Sequence, residues 1–334
     1  MSPLDQSYGS ASCELRYGGV IPHCRQIYMP LSCVARQVSF TTRKMTTSAP
    51  VLNTVPPNHR VVLTNEKVTG PAAAQLIRRS GILDGSKNDL EVLDNATGGG
   101  ILVAELFRLA EEQSGSLNFK RVVAGDIDDS MLRAVQIKKD DTKSSSSWAK
   151  VEPTKIDQQA IPMPDGSFTH VFNNMGIFFC QDDEKALREA HRVLKSGGVA
   201  AFTSWKSIAW WEEIAQPAIK QFIPGAPELP GPANLFPSRG WSDPAAIPAK
   251  LEKAGFRDVQ VDEFKFTPNV EAEEFAEAFG VLVKIVAKRL WSDEHCATYA
   301  PQIEPALRRY LEENYASGRW TGKMIAITTV GRKT

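Results

Sequence analysis

The chain has 334 residues, 42% hydrophobic and 23% charged, with 39 Lys plus Arg against 39 Asp plus Glu. This balance describes a globular protein of one large domain with room for insertions, and gives no electrostatic basis for a nucleic-acid or anionic-membrane partner. No apolar run approaches the roughly 18 residues of a membrane span, and five cysteines without a C-x-x-C pair or a nearby cluster of histidines point to a reducing compartment rather than to zinc.

Residues 1–55 carry Arg16, Arg25, Arg36, Arg43 and Lys44 against only Asp5 and Glu14, with many Ser and Thr. They read as a disordered extension or as a mitochondrial targeting segment, and a start at Met45 would remove most of them. The expected location is cytoplasmic, with import into mitochondria as the alternative. Pro56-Pro57 closes this segment, and residues 56–334 are read as one domain. Residues 72–79 spell a short helix with Gly81 beyond its end. A strand at 90–94 feeds a helix in which Leu102, Leu106, Leu109 and Ala110 recur at helical spacing, and a second strand follows at 121–126.

The next helix holds Met131, Leu132 and Val135 and fades into a Lys, Asp and Ser stretch over 138–147, expected to be a solvated loop. A third strand at 151–156, a turn at Asp165-Gly166 and a fourth strand at 168–172 come next. Asp182 or Asp183 caps a helix whose Ala186, Leu187, Ala190, Val193 and Leu194 form one stripe, which Gly197-Gly198 is expected to stop. Strands five, six and seven fall at 199–203, 259–266 and 324–330, with a helix ending at Gly255 between the first two. Insertions at 206–248 and 267–322 follow strands five and six. The first is rich in Pro, Gly and Trp, and the second contains a helix with Phe275, Phe279, Leu282 and Val286 on one face. Alternating strand and helix predicts an α/β fold with a mostly parallel sheet covered on both faces, and insertions of this length suggest a cover for a substrate.

The most informative stretch is Val92-Leu93-Asp94-Asn95-Ala96-Thr97-Gly98-Gly99-Gly100, where an apolar strand ends in an acid and a glycine turn opens a helix. Such a turn suits a nucleotide-like cofactor, with Gly98 and Gly100 letting backbone come close where a Cβ would collide. A second acid, Asp126, falls at the end of strand two, and a third, Asp157, just after strand three. Downstream blocks complete a pattern. They are Gly125-Asp126-Ile127-Asp128-Asp129-Ser130, then Ile156-Asp157-Gln158-Gln159-Ala160-Ile161-Pro162 with Asp165-Gly166-Ser167-Phe168, then Leu187-Arg188-Glu189-Ala190-His191-Arg192-Val193-Leu194-Lys195-Ser196-Gly197-Gly198. In this order they resemble the motifs of class I S-adenosylmethionine-dependent methyltransferases of the small-molecule type, which includes ubiquinone and menaquinone biosynthesis enzymes and fungal secondary-metabolism methyltransferases.

The resemblance covers roughly residues 60–205 and the final strand. It implies a Rossmann-like seven-stranded sheet with an antiparallel last strand, and S-adenosylmethionine as cofactor. It also implies a site at Asp94, Ala96, Gly98, Gly100, Asp126, Ile127, Asp157, Gln158 and Asn174. In it Asp94 orients the glycine loop and holds the cofactor ammonium, Asp126 accepts both ribose hydroxyls, Asp157 and the Gln158 N–H meet the adenine edge, and Asn174 lines the mouth. Ala96 departs from the pattern, standing where many relatives carry glycine.

Trp205, Trp210 and Trp241 follow strand five, where the fold places its acceptor, and suit a flat or greasy metabolite. His170, His191 and His295 have no motif around them, so no general base is assigned, and none is required for an amine or carbanion acceptor. A nicotinamide dehydrogenase would need its third glycine at Val103. Nucleic-acid amino-methylation would need an Asn-Pro-Pro or Asp-Pro-Pro motif where Asn173-Asn174-Met175-Gly176 stands, and the same neutral residues argue against a magnesium site. The expected activity is methyl transfer to a small aromatic or hydrophobic metabolite. The alternative is a methyltransferase-fold regulatory or binding partner without turnover.

Overall fold

Val92 and Leu93 are neighbours in sequence, both fully buried, and each belongs to a different core. A strand buried on both faces has no polar side to alternate with, which is why this segment reads as a continuous apolar run. The computed structural model describes residues 59–84, 89–113, 117–141, 146–315 and 317–334, so the expectation for residues 1–55 lies outside the described residues.

The strands are β1 (Leu90–Asn95), β2 (Phe119–Asp126), β3 (Val151–Lys155), β4 (Phe168–Asn174), β5 (Leu194–Ser207), β6 (Arg257–Phe266), β7 (Val270–Glu271), β8 (Arg319–Trp320) and β9 (Met324–Arg332). Seven of them form one sheet in the order β3-β2-β1-β4-β5-β9-β6, and β7 pairs with β8 in a small ribbon that the sequence did not signal. Pairing is parallel from β3 across to β5, and β9 runs antiparallel to both β5 and β6. The expected seven-stranded, mostly parallel sheet with an antiparallel last strand is therefore present. The chain steps outward one way through β2 and β3 and the other way through β4 and β5, so strand order reverses between β1 and β4. In open α/β sheets such a reversal leaves a crevice at the carboxyl ends of the strands.

The helices are α1 (His59–Ser80), α2 (Ile101–Glu112), α3 (Asp129–Asp140), α4 (Asp183–Val193), α5 (Gln216–Phe222), α6 (Ile247–Lys253), α7 (Ala272–Leu290), α8 (Asp293–Tyr299) and α9 (Ile303–Asn314). One sheet face is covered by α1, α2 and α3 and the other by α4 and α6. A third apolar cluster, with Trp211, Phe275, Phe279, Leu307 and Trp320, joins α5, α7 and α9 in a helical layer. Glu271 and Glu274 start α7 with a reciprocal capping box.

Four local expectations are corrected. The first helix is 22 residues long and runs through Pro71, where the sequence suggested a start at residue 72. Its early turns are held by burial of Val62 and Val68, and tertiary packing outweighs the loss of one N–H at proline. Helix α4 stops at Val193 rather than at Gly197-Gly198, because Leu194 already pairs with Phe168 while His170 pairs with Val199. The residues between bulge out of the ladder, and Gly197 takes φ +78° there. In the polar stretch read as a loop, residues 142–145 lie outside the described residues, but 146–150 form a 3₁₀ turn that buries Trp148 edge-on to Phe107, ring centres 5.6 Å apart. On α7 it is Val283, not Leu282, that is fully buried beside Phe275, Phe279 and Val286.

Candidate cofactor crevice

The loop after β1 is fastened to the loop after β2. The N–H groups of Ala96 and Thr97 both donate to the Gly125 carbonyl at 2.8 Å, and the Gly98 N–H donates to Asp126 Oδ2 at 2.8 Å. The other Asp126 oxygen accepts from the Asp128 N–H at 3.0 Å. Each oxygen still has a lone pair able to accept from a hydroxyl. Burial holds the Asp126 carboxyl above its ordinary range, opposed by the N–H bonds from Asp128 and Gly98. Ile127, the next residue, is 57% exposed, an unusual position for isoleucine beside a buried acid.

Asp94 is fully buried. Thr97 Oγ1 donates to its Oδ2 at 2.6 Å, while its Oδ1 has no hydrogen-bond partner among the described residues, and the same is true of the buried Asn95 Oδ1. Burial raises the Asp94 carboxyl to about 7, the Thr97 bond pulls it down, and the Asp126 charge pushes it up. An unpartnered buried acceptor is costly unless something else supplies a donor or a cation.

The turn residues divide into two kinds. Gly98 has φ +55° and no atom within 4 Å of where a Cβ would stand, so it borders open space. Gly100 was expected to face a ligand as well, but a Cβ there would meet Val135 and Trp148 at 3.4 and 3.5 Å. Its role is the left-handed conformation, φ +82°, that opens α2. Gly99 is a packing residue, since a Cβ would sit 2.6 Å from Val62 of α1. Ala96 takes φ +73° and Met175 φ +59°, and each directly follows one of the two strands, β1 and β4, that flank the reversal. Non-glycine residues rarely adopt this conformation, and it concentrates at functional crevices.

The loop after β3 carries Asp157, whose Oδ1 accepts from the Gln159 N–H at 2.9 Å. The Gln158 side chain turns inward, donating to the Gly176 carbonyl at 3.1 Å and accepting from Asn173 Nδ2 at 2.7 Å. Asn173 Oδ1 accepts from the Gly176 N–H. Asn174 Oδ1 accepts from Thr203 Oγ1 at 2.7 Å, and that hydroxyl accepts from the Met175 N–H. Arg192 holds the loop from behind, donating to the carbonyls of Ile161 and Met163 and to Glu189 and Asp165. These carboxylates hold its guanidinium well above the usual range. Asn95, Asn173, Thr203, Arg192 and Val62 were not marked as site residues, because none has a periodicity or spacing that separates it from an ordinary polar or core residue.

The three tryptophans assigned to the acceptor separate. Trp210 is 6% exposed and its ring lies 4.6 Å from that of Phe279 inside the helical layer. Trp241 is 3% exposed, donating from Nε1 to Asp183 Oδ2 at 2.7 Å and packing against Phe202. Both are core residues, which corrects the expectation. Only Trp205 is partly exposed, at the junction of the helical layer and the sheet face. Of the histidines, His170 sits in β4 against Phe172, lowered to about 4 by burial and by Arg332; His191 packs edge-on to Phe256; His295 is on exposed α8. No group of three or more His, Cys, Asp and Glu among the described residues is placed to hold a metal ion.

A sheet in this order, with a glycine loop after β1, an acid after β2 and the crevice at the reversal, defines the class I methyltransferase fold. Residues 93–202 match the methyltransferase domain family. The chain belongs to the class I S-adenosylmethionine-dependent methyltransferases and acts on small molecules. It is 29% identical to methyltransferase tpcH of Aspergillus fumigatus over 273 residues, covering 80% of this chain and 93% of that one. It is also 29% identical to acetylaranotin bis-thiomethyltransferase of Aspergillus terreus over 254 residues, 75% of this chain and 85% of the relative. Over 119 residues it is 37% identical to the ubiquinone/menaquinone biosynthesis C-methyltransferase UbiE of Cronobacter sakazakii, 36% of this chain and 42% of that enzyme. S-Adenosylmethionine is the methyl donor typical of the family. The crevice fits it, because a cationic ligand with a ribose diol needs a buried acceptor, an acid with spare lone pairs and backbone without side chains, and Asp94 Oδ1, Asp126 and Gly98 offer these.

Proposed function

We propose that this enzyme methylates a small aromatic or hydrophobic metabolite by in-line displacement, with Asp94, Ala96, Gly98, Gly100, Asp126, Ile127, Asp157, Gln158 and Asn174 forming the cofactor site. The observations that carry the cofactor assignment are the buried Asp94 Oδ1, without a hydrogen-bond partner among the described residues, and the open space at Gly98 in the loop that follows the same strand. In this reading Asp94 offsets the positive charge of the amino-acid tail, Asp126 accepts from the ribose and exposed Ile127 covers one face of the adenine. Asp157 accepts from the adenine edge, and Gln158 holds its loop against β4. Gly100 acts by opening α2.

Bound S-adenosylmethionine supplies an electrophilic methyl on a positively charged sulfur. The protein's part is to hold an acceptor in line with that methyl and to exclude water, and alignment of this kind contributes up to about 7–11 kcal/mol in favourable cases. The segments 206–248 and 267–322 cover the acceptor, which lies beside Trp205. The relative named a bis-thiomethyltransferase supports sulfur as one acceptor atom. A thiol ionises readily enough to react without a dedicated base. The free thiols Cys180 and Cys296 suit a reducing compartment, the cytoplasm or, with import through residues 1–55, the mitochondrial matrix.

The test is calorimetry with S-adenosylhomocysteine. Asp126→Ala is expected to weaken binding about tenfold or more, the loss of charged hydrogen bonds worth about 1.5–3 kcal/mol, and unchanged affinity would remove Asp126 from the site. Labelled-methyl transfer in a cell extract, with mass identification of the product, tests the acceptor class.

A further inference from the structure

With Trp210 and Trp241 committed to cores, the rings left at the surface beside β4 belong to a different segment. Phe178 and Phe179 lie in the short turn Ile177–Phe179, directly after Gly176 and the left-handed Met175. Phe178 is buried, but Phe179 is 47% exposed. Phe236, from the segment after β5, packs 4.3 Å from the Phe178 ring and stands edge-on to Phe179 at 5.0 Å and 79°.

This arrangement is held on both sides. The Ser238 N–H donates to the Phe178 carbonyl at 3.2 Å and its Oγ donates to the Cys180 carbonyl at 2.8 Å, while Arg289 of α7 donates to the Leu235 carbonyl. Phe236 touches both the helical layer and the sheet-face core, as Trp205 does, so the rings stand at the seam between the two. A large exposed aromatic that is backed by a buried ring and fastened by three hydrogen bonds is a fixed surface, which loses little freedom when a ligand covers it.

We infer that Phe179 and Phe236 form an aromatic wall that selects a planar aromatic acceptor, with the nucleophilic hydroxyl or thiol at its edge. The inference rests on the proposed function and names the substrate class of the same site. Phenylalanine has no donor or acceptor of its own, so the wall discriminates by flat area and ring quadrupole rather than by polar pattern.

The experiment uses the full chain saturated with S-adenosylhomocysteine, and titrates 2-naphthol against its saturated counterpart decahydro-2-naphthol by calorimetry. Tighter binding of the aromatic probe is expected. Phe179→Ala and Phe236→Ala should each erode that preference about three- to tenfold, Phe179→Tyr should keep it, and all should bind S-adenosylhomocysteine within about twofold of the unaltered protein. Equal affinity of the unaltered protein for both probes, a preference unchanged by Phe179→Ala, or parallel loss of both probes overturns the inference while the cofactor reading stands. Failure of the unaltered protein to bind S-adenosylhomocysteine instead overturns the proposed function beneath it. Phe179 is exposed, so its alanine variant keeps the test decisive even where Phe236→Ala disturbs the seam.

Discussion

Asp94 combines two demands that oppose each other. Its carboxyl is raised from an ordinary 3.8 to about 7, chiefly by burial. Between those values the folded chain keeps a proton that the unfolded chain has released, so the site's contribution to stability falls as pH rises from about 4 to about 7 and is lowest above that. Affinity for a ligand that places an ammonium group against Asp94, as the amino-acid tail of S-adenosylhomocysteine does in the proposed site, moves the other way, because the ammonium favours the ionised form. S-Adenosylhomocysteine should therefore bind more tightly at about pH 8 than at about pH 6. Asp94→Asn should raise the melting temperature above neutral pH while weakening binding and flattening its pH dependence, and calorimetry with thermal melts at the two pH values checks both. The acid itself was legible, since it ends an apolar strand before glycines. Its missing partner was not, because hydrogen bonding depends on which atoms surround the oxygen, and Thr97 satisfies only one of the two.

At the scale of elements, the strands and their order along the chain were readable from apolar runs and turn residues, and the differences arise where an element is held from outside. Helix α1 is the clearest case. Propensity predicts a start after Pro71, yet the helix begins at His59, with Val62 packed over the loop after β1 where Gly99 leaves room. Gly99→Ala should destabilise the protein by about 1–3 kcal/mol, and combining it with Val62→Ala should recover part of that loss. Denaturant melts of the two single variants and the double variant measure the coupling, and simple additivity would disprove the contact. The bulge at Gly197-Gly198 is a second case. Helical stop signals and strand bulges both use glycine, and only the pairing of Leu194 with Phe168 decides between them. Arg192 is a third, an ordinary helix-end arginine in sequence that ties the loop after β3 to α4 through three partners, Ile161, Met163 and Asp165.

The whole molecule has two cores on the faces of one sheet and a third in the helical layer, and the fate of the tryptophans follows from that division. Trp210→Ala should cost about 3–5 kcal/mol of stability, as expected for a large ring removed from a packed cluster. Affinity for S-adenosylhomocysteine should be unchanged, and a melt beside a calorimetric titration tests this directly. The α/β class, the glycine loop, the three acids at strand ends and the family were legible along the chain, because these are signals carried by neighbouring residues in one stretch. Which aromatic rings build a core and which stay at the surface, and which buried oxygen lacks a partner among the described residues, follow from tertiary structure. Those properties belong to groups brought together from distant segments, such as Phe179 with Phe236 or Val62 with Gly99, and no local pattern records them.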